Sequence, residues 1–430
     1  MNGFMMHFLA LLFLPIALLA TSQITVYDNT NYEPVPGAQV IVGSETYKTD
    51  VNGTVSLPES VDRVRVKAYG YRPLCTRLES DSTFSSVMVR PIRVKALYLS
   101  FWGAGVDSER LRSVIEFAQK TEINAVVVDI KNEFGFTSYK TGVAEALAIK
   151  AHRNRTIKNI TAFLHKLKEH DIYTIGRIVV FKDDLRARRM PETALKAADG
   201  KLWSNNEELA WVDPFIASNH DYNIAIAEDA ARLGFDEINF DYIRFPEKGN
   251  LDFSKENVLA NRVATINAFL KEARARLQPY GVFLSVDTFG QVSWDKGDTG
   301  IGQTVVSLAE YADYLSPMLY PSGFHSGWMG LKDPTSDVYH IVHESLKRIH
   351  IDPKRVRPWL QAFKDYAHSH THFKAKKIRS QIDAAETYGS GGWLLWNPRS
   401  RYKSEGLKAS APQTIDIAHL PASSSEPYSN

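Results

Sequence analysis

Residues 237–243 read EINFDYI, and RFP follows at 244–246. Ile238, Phe240 and Ile243 make this run apolar, yet Asp241 stands inside it. A carboxylate within an apolar strand is costly unless it is paired or has a task. Seven further apolar runs flank this one: KALYLSFW (95–102), NAVVVDI (124–130), IYTIGRIVV (172–180), VFLSVDTFG (282–290), ADYLSPMLY (312–320), VRPWLQAF (356–363) and GGWLLW (391–396). Near-continuous apolar strands are what a parallel sheet covered on both faces requires.

The segments between the runs carry helical periodicity. Leu111, Val114, Ile115 and Ala118 mark one apolar face behind an Asp107/Ser108 N-cap. Ile160, Phe163, Leu164 and Leu167 mark a second, and Val258, Val263, Ile266, Phe269 and Leu270 a third. Eight strands alternating with helices over residues 93–402 predict an α/β fold, a (β/α)8 TIM barrel. A doubly wound open sheet is the competitor. Its phosphate-binding glycine cluster is incomplete here, since Gly103-Ala104-Gly105 has no third glycine in register.

The front of the chain is different. Residues 23–92 alternate in short runs (ITVYD, AQVIVG, VRVKAYGY) separated by Asn, Pro, Gly and Asp, which predicts a small all-β sandwich. Asp50, Asn52 and Gly53 read as a turn, because the other ligands of a calcium loop are missing. Phe8 to Ala20, FLALLFLPIALLA, is too short to span a bilayer and suits a signal peptide over residues 1–22, with small residues before Gln23. A buried N-terminal helix is the alternative. The expected location is therefore exported: periplasmic, cell-surface or extracellular in a bacterium. Residues 403–430 carry little periodicity and read as a flexible tail.

Composition narrows the chemistry. The chain has 430 residues, 44% hydrophobic and 23% charged, with a net charge of +2, so nothing favours a nucleic-acid partner. A single cysteine, Cys75, excludes an intrachain disulfide, a Cys-rich zinc site and an iron–sulfur cluster. HExxH, P-loop and G-x-S-x-G motifs are absent from the sequence.

In such barrels the active site lies at the C-terminal ends of the strands. Polar residues ending the runs are Asp129, Lys131 and Glu133; Arg177, Lys182, Asp183 and Asp184; Asn239, Asp241 and Arg244; Asp287; Tyr320; Gln361; and Trp396 with Asn397. Adjacent parallel strands are ~4.8 Å apart, so Asp241 and Asp287 could approach to roughly 5–6 Å, near the spacing of a carboxylate pair that cleaves a glycosidic bond. The bland alternative is a buried ion pair of Asp241 with Arg177 or Arg244. Asp129 reads as structural or as a ligand for sugar hydroxyls. Trp102 and Trp396, ending the first and eighth runs, would form a flat platform for a pyranose. Trp359 and Trp393 read as core. His368, His370 and His372 alternate after the seventh run, as a solvated loop or as a metal site.

At INFDYIRFP, VVVDIKNEFG, GRIVVFKDD, LSVDTFG and YLSPMLYPSGF, residues 94–401 resemble a bacterial family of glycoside-hydrolase-like barrels defined by a domain of unknown function. PVPGAQV…YKTDVNGTVSLP…VKAYGY resembles carboxypeptidase regulatory-like domains. The barrel family is similar to α-amylase-like glycosidases, which implies Asp241 as nucleophile. That clan carries a Glu acid where this chain has Asp287, and an Arg where it has Asn239.

The sequence therefore predicts an exported glycoside hydrolase acting on a polysaccharide, needing no cofactor. Asp241 and Asp287 are its catalytic candidates; Trp102, Asp129, Lys131, Arg177, Arg244, Tyr320 and Trp396 are its substrate-binding ones. The alternatives are a non-catalytic carbohydrate-binding barrel and a metal-dependent polysaccharide deacetylase. The glycan, the stereochemistry and the oligomeric state stay open.

Overall fold

The computed structural model describes residues 22–57, 61–78, 84–105 and 107–410. The predicted signal segment, except Ser22, and the end of the predicted tail lie outside the described residues. Among the described residues, no helix is long and apolar enough to cross a membrane. Two compact units divide the chain, one ending at Pro91 and the other starting at Ile92.

The first unit holds seven strands: β1 (Ser22–Asp28), β2 (Gln39–Val42), β3 (Glu45–Lys48), β4 (Thr54–Leu57), β5 (Arg63–Lys67), β6 (Leu74–Arg77) and β7 (Phe84–Val89). They form a β4-β1-β7 sheet and a β3-β2-β5-β6 sheet. All pairings are antiparallel except β1 with β7, which is parallel. Alternation along β1 buries Ile24 and Val26 in one core with Val40, Leu57, Val64, Val66, Val87 and Val89. The Asp50 turn is the plain one expected, since its Oδ1 accepts the N–H groups of Asn52 and Thr54. Gly53 closes that turn at φ +70°, where a Cβ would sit 2.7 Å from the Val26 carbonyl oxygen.

The second unit is the barrel. Its strands are β8 (Val94–Leu99), β9 (Ala125–Lys131), β10 (Tyr173–Val179), β12 (Glu237–Asp241), β14 (Phe283–Thr288), β15 (Tyr314–Pro317), β16 (Trp359–Gln361) and β17 (Gly392–Trp396); β11 (Lys196–Ala197) and β13 (Leu251–Asp252) pair outside it. Each coincides with one of the eight apolar runs. The sheet order β15-β14-β12-β10-β9-β8-β17-β16 is parallel throughout. Parallel bridges Leu315–Val356 and Met318–Trp359 bring its two edges together, so the sheet is a nearly closed barrel.

The predicted helical faces are largely the buried ones, except that Val258 is 40% exposed at the N-cap of its helix and Val263 is half-buried. Ser108 caps helix Glu109–Lys120, which buries Leu111, Val114 and Ile115. Helix Ile160–Glu169 buries Phe163, Leu164 and Leu167, and helix Leu259–Leu277 buries Ile266, Phe269 and Leu270. Residues 403–410, where the sequence predicts the start of a flexible tail, carry defined contacts instead. The Lys408 N–H donates to Glu122 Oε1, and its ammonium pairs with Glu386 at 2.9 Å.

Candidate active site

Strand alternation decides which side chains enter the barrel. Val126, Val128 and Ile130 on β9, Ile238 and Phe240 on β12, and Leu284 and Val286 on β14 pack outward into the core beneath the helices. Their alternates, Asp129, Asn239, Asp241, Ser285 and Asp287, therefore face inward. The same alternation turns Tyr98 on β8, Arg177 on β10 and Trp396 on β17 inward.

At the N-terminal end of the strands the interior is sealed. Glu237 pairs with Arg357 at 2.6 Å and accepts the Tyr173 hydroxyl at 2.9 Å. Above that floor, near the C-terminal ends, four charged side chains meet around Arg177. Its Nη1 donates to Asp129 Oδ1 at 2.6 Å, while its Nε and Nη2 donate to Asp241 Oδ2 at 3.0 and 2.5 Å. Asp287 Oδ2 lies 4.0 Å from the same Nε. Those two legs from one nitrogen bound the Asp241–Asp287 oxygen separation at about 7 Å.

Each carboxylate has a different set of partners. Asp129 also accepts the Tyr98 hydroxyl at 2.6 Å and the Phe101 N–H at 3.1 Å. Asp241 Oδ1 takes the N–H of Tyr242 at 2.6 Å. Asp287 Oδ1 accepts Asn239 Nδ2 at 2.9 Å and Trp359 Nε1 at 2.8 Å. Three buried carboxylates thus face one guanidinium. Burial first, and then the Asp241 charge, pushes the Asp287 carboxyl well above the usual range. Because Oδ1 already holds two donors, a proton on this carboxyl would sit on Oδ2.

The backbone after Asp241 is strained. Tyr242 has φ +50°, in the left-handed region that a bulky side chain avoids, at a cost of roughly 1–3 kcal/mol. That conformation aims its N–H at Asp241. Its ring meets Trp211 at 5.7 Å, Lys182 Nζ at 5.0 Å and the Arg244 guanidinium at 5.1 Å. Lys182 is ion-paired with Glu207, and Arg244 with Glu247 at 3.2 Å.

The structure gathers most of the predicted site. Asp129, Arg177, Asp241 and Asp287 form the ionic cluster. Trp396 stacks on Tyr98 at 3.8 Å with the Arg177 guanidinium 5.0 Å from its ring. Tyr320 is half-buried, and burial first, then the neighbouring carboxyl groups, raises its phenol. Arg244 lies one residue group further out, among Trp211, Tyr242 and Phe289.

Two predicted binding residues and the histidine triplet are placed otherwise. Lys131 is 0% exposed and bonds Asp183 at 2.6 Å, so it supports the loop after β10 and cannot reach a substrate. Trp102 is 63% exposed on the 3-10 turn Phe101–Gly103, and its ring contact is with Phe101, not Trp396. The two tryptophans do not build the shared platform expected of them. His368 Nε2 lies 2.9 Å from the Phe324 carbonyl oxygen, and His370 takes φ +52°, which breaks the extended geometry a metal-binding triplet needs. Among the described residues, no group of three or more His, Cys, Asp or Glu side chains is arranged to hold a metal ion.

Sequence reasoning passed over Tyr98 and Glu133 as site members and took Trp359 for plain core. Trp359 is buried, but its indole N–H holds Asp287. Glu133 is half-buried beyond β9, and burial and the Asp129 charge raise its carboxyl. The inward register of Tyr98 was legible from the alternation of its run; the Trp359 contact, made past β15 between two strands that are not neighbours, left no local trace.

The barrel thus carries an acid cluster near the C-terminal ends of its strands, where the active sites of such barrels lie. Residues 96–402 match the family described as "Putative glycosyl hydrolase domain", and the chain belongs to that family. No curated protein matches the sequence. Among solved structures, the chain is similar to the PgaB (BpsB) glycoside hydrolase domain from Bordetella bronchiseptica, at 14% identity over 72% of this chain and 94% of that one, with a TM-score of 0.54. A hypothetical protein from Ruminiclostridium thermocellum is 39% identical over 44% of this chain and 96% of that one, with a TM-score of 0.39. The Group II chitinase catalytic domain 2 of Ostrinia furnacalis is 12% identical over 71% of this chain and 90% of that one, with a TM-score of 0.44.

Proposed function

We propose that this protein is an exported glycoside hydrolase that cleaves a polysaccharide with two carboxyl groups. Asp287 acts as general acid and Asp241 as nucleophile or as stabiliser of the oxocarbenium ion. The observation that carries this reading is the unequal surroundings of the pair. Arg177 donates two hydrogen bonds to Asp241 but stands 4.0 Å from Asp287, whose carboxyl burial and the Asp241 charge raise well above the usual range. Two carboxyl groups in such different surroundings can divide acid and base roles at one pH.

In the proposed reaction Asp287 gives its Oδ2 proton to the glycosidic oxygen as the C–O bond breaks. Asp241 faces the positive charge that develops at the anomeric carbon. A separation of roughly 5–5.5 Å would let Asp241 attack and give retention, and a wider gap would admit a water and give inversion. The bound of about 7 Å is compatible with either. Asp129, Arg177, Tyr320 and Trp396 would position the sugar, with the Trp396 face against its C–H side. Export rests on residues 1–22, and the first unit, in its resemblance to a carboxypeptidase regulatory-like domain, would serve binding or spacing.

One observation favours a second reading, a carbohydrate-binding barrel without turnover. Asp129, Arg177, Asp241 and Asp287 are each at most 4% exposed, as a purely structural ion cluster would be. The test is to incubate the protein, Asp241→Asn and Asp287→Asn with a panel of bacterial exopolysaccharides, measuring reducing ends and retained glycan. Turnover by the parent, lost in both variants while binding persists, supports the enzyme. Binding by the parent with no new reducing ends on any member of the panel favours the binder.

A further inference from the structure

The aromatic side chains near Asp287 do not stop at the acid pair. Tyr320 lies just beyond β15, the sheet neighbour of the β14 that carries Asp287, and meets Phe363 edge to face at 5.4 Å. Phe363 in turn lies parallel to Tyr366, at 6.2 Å between centroids and 6° between planes. Tyr366 is 60% exposed. A contiguous line of rings therefore runs from Tyr320, at the end of the strand beside β14, to solvent over the loop that follows β16. In the barrel unit, Trp102 and Phe134 are the other exposed large aromatics among the described residues, at 63% and 36%. They follow β8 and β9, and β16, β17, β8 and β9 are consecutive in the sheet. The exposed rings thus share one half of the rim at the C-terminal face.

Charge is concentrated on the same loop and the first turn of the helix Ala375–Tyr388 that follows it. Residues 364–377, KDYAHSHTHFKAKK, hold four lysines and one aspartate in a chain whose net charge is only +2. Lys364, Lys374 and Lys376 are exposed. Asp365 is buried, and its carboxylate is occupied by the N–H groups of Ala367, His368 and His370. Lys364 adjoins Phe363 in sequence, and Lys374 and Lys376 lie at the end of the same segment.

We infer that the Tyr320–Phe363–Tyr366 line is a subsite track for an anionic glycan, a chain of pyranoses bearing carboxylate or ester anions. Sugar faces lie on the rings, and the lysines of residues 364–377 take the charges. This rests on the glycosidase reading and adds the substrate class and the direction in which the chain leaves the acid pair.

The test uses the full chain carrying Asp287→Asn, so that binding is read without turnover, with three probes: hexagalacturonate, sulfated cellohexaose and unsulfated cellohexaose. The charged hexamers are expected to bind about tenfold more tightly than cellohexaose at low salt, with the difference fading as salt rises. Hexagalacturonate alone would identify carboxylates, and the sulfated hexamer alone ester anions. Tyr366→Ala is expected to weaken the charged hexamers roughly fivefold. Lys364→Glu/Lys374→Glu/Lys376→Glu, confined to exposed positions, should erase the preference. Equal binding of charged and neutral hexamers, no binding of either charged hexamer, or a preference that survives the triple variant would each overturn the inference. Track-dependent binding of anionic glycans that the parent leaves uncut would instead sink the glycosidase reading alone.

Discussion

Asp241 and Asp287 share one guanidinium nitrogen: Arg177 Nε is 3.0 Å from Asp241 Oδ2 and 4.0 Å from Asp287 Oδ2. The sharing is unequal, because Asp241 also takes Nη2 and a backbone N–H. That asymmetry gives the two carboxyls different surroundings, and burial with the Asp241 charge raises the Asp287 carboxyl.

The first prediction concerns pH. The folded-state pKa of Asp287 is raised, so the native state holds a proton that the unfolded chain releases above about 3.9. Stability from this group is full below the unfolded value and declines as pH rises through the folded one. Asp287→Asn, which resembles the protonated acid, removes that decline. Denaturant midpoints of parent and variant measured from pH 4 upward should diverge, with the variant increasingly favoured. A constant difference between them would show that Asp287 is ionised in the fold.

Trp359 offers a finer test. Its N–H bond to Asp287 Oδ1 favours the ionised form. Trp359→Phe should therefore raise the Asp287 pKa further and move the alkaline limb of the kcat/KM profile to higher pH. A limb that stays in place or moves down contradicts the assignment of that limb to Asp287.

Arg177 holds two anions in a buried site. Arg177→Met leaves Asp129 and Asp241 uncompensated, and breaking a buried pair in this way costs roughly 3–5 kcal/mol. Urea unfolding should register the loss, and adding Asp241→Asn should recover part of it. No recovery in the double variant would mean that the two side chains act independently.

Lys131 separates support from substrate contact. Lys131→Met should cost a similar roughly 3–5 kcal/mol through the unpaired Asp183. Its folded fraction should keep the parent KM. A KM raised tenfold with unchanged stability would restore the binding role expected from the sequence.

The barrel was legible because parallel strands covered on both faces must be apolar almost throughout, and all eight runs became strands. The carboxylates were legible as charges inside those runs. Lys131 was not, for a reason local to β9. The β9–β10 register pairs Asp129 with Arg177 and then Lys131 with Ile178, and that irregularity breaks the alternation that would have turned Lys131 inward. Trp102 leaves the platform because the chain enters a 3-10 turn at Phe101. The histidines fail to align because the buried Asp365 carboxylate gathers the N–H groups around it and folds the loop. Such contacts join residues that no periodicity links.

The roles of the two acids are separated most directly by leaving-group dependence. An aryl glycoside of the sugar that the parent cleaves, carrying a dinitrophenolate leaving group, needs no proton from the enzyme. In the first turnover Asp287→Asn should release dinitrophenolate from this substrate at a rate near the parent's while losing the native glycan, and Asp241→Asn should lose both. If Asp287→Asn were equally impaired on the two substrates, or unimpaired on the native glycan, the proposed division of labour would be wrong.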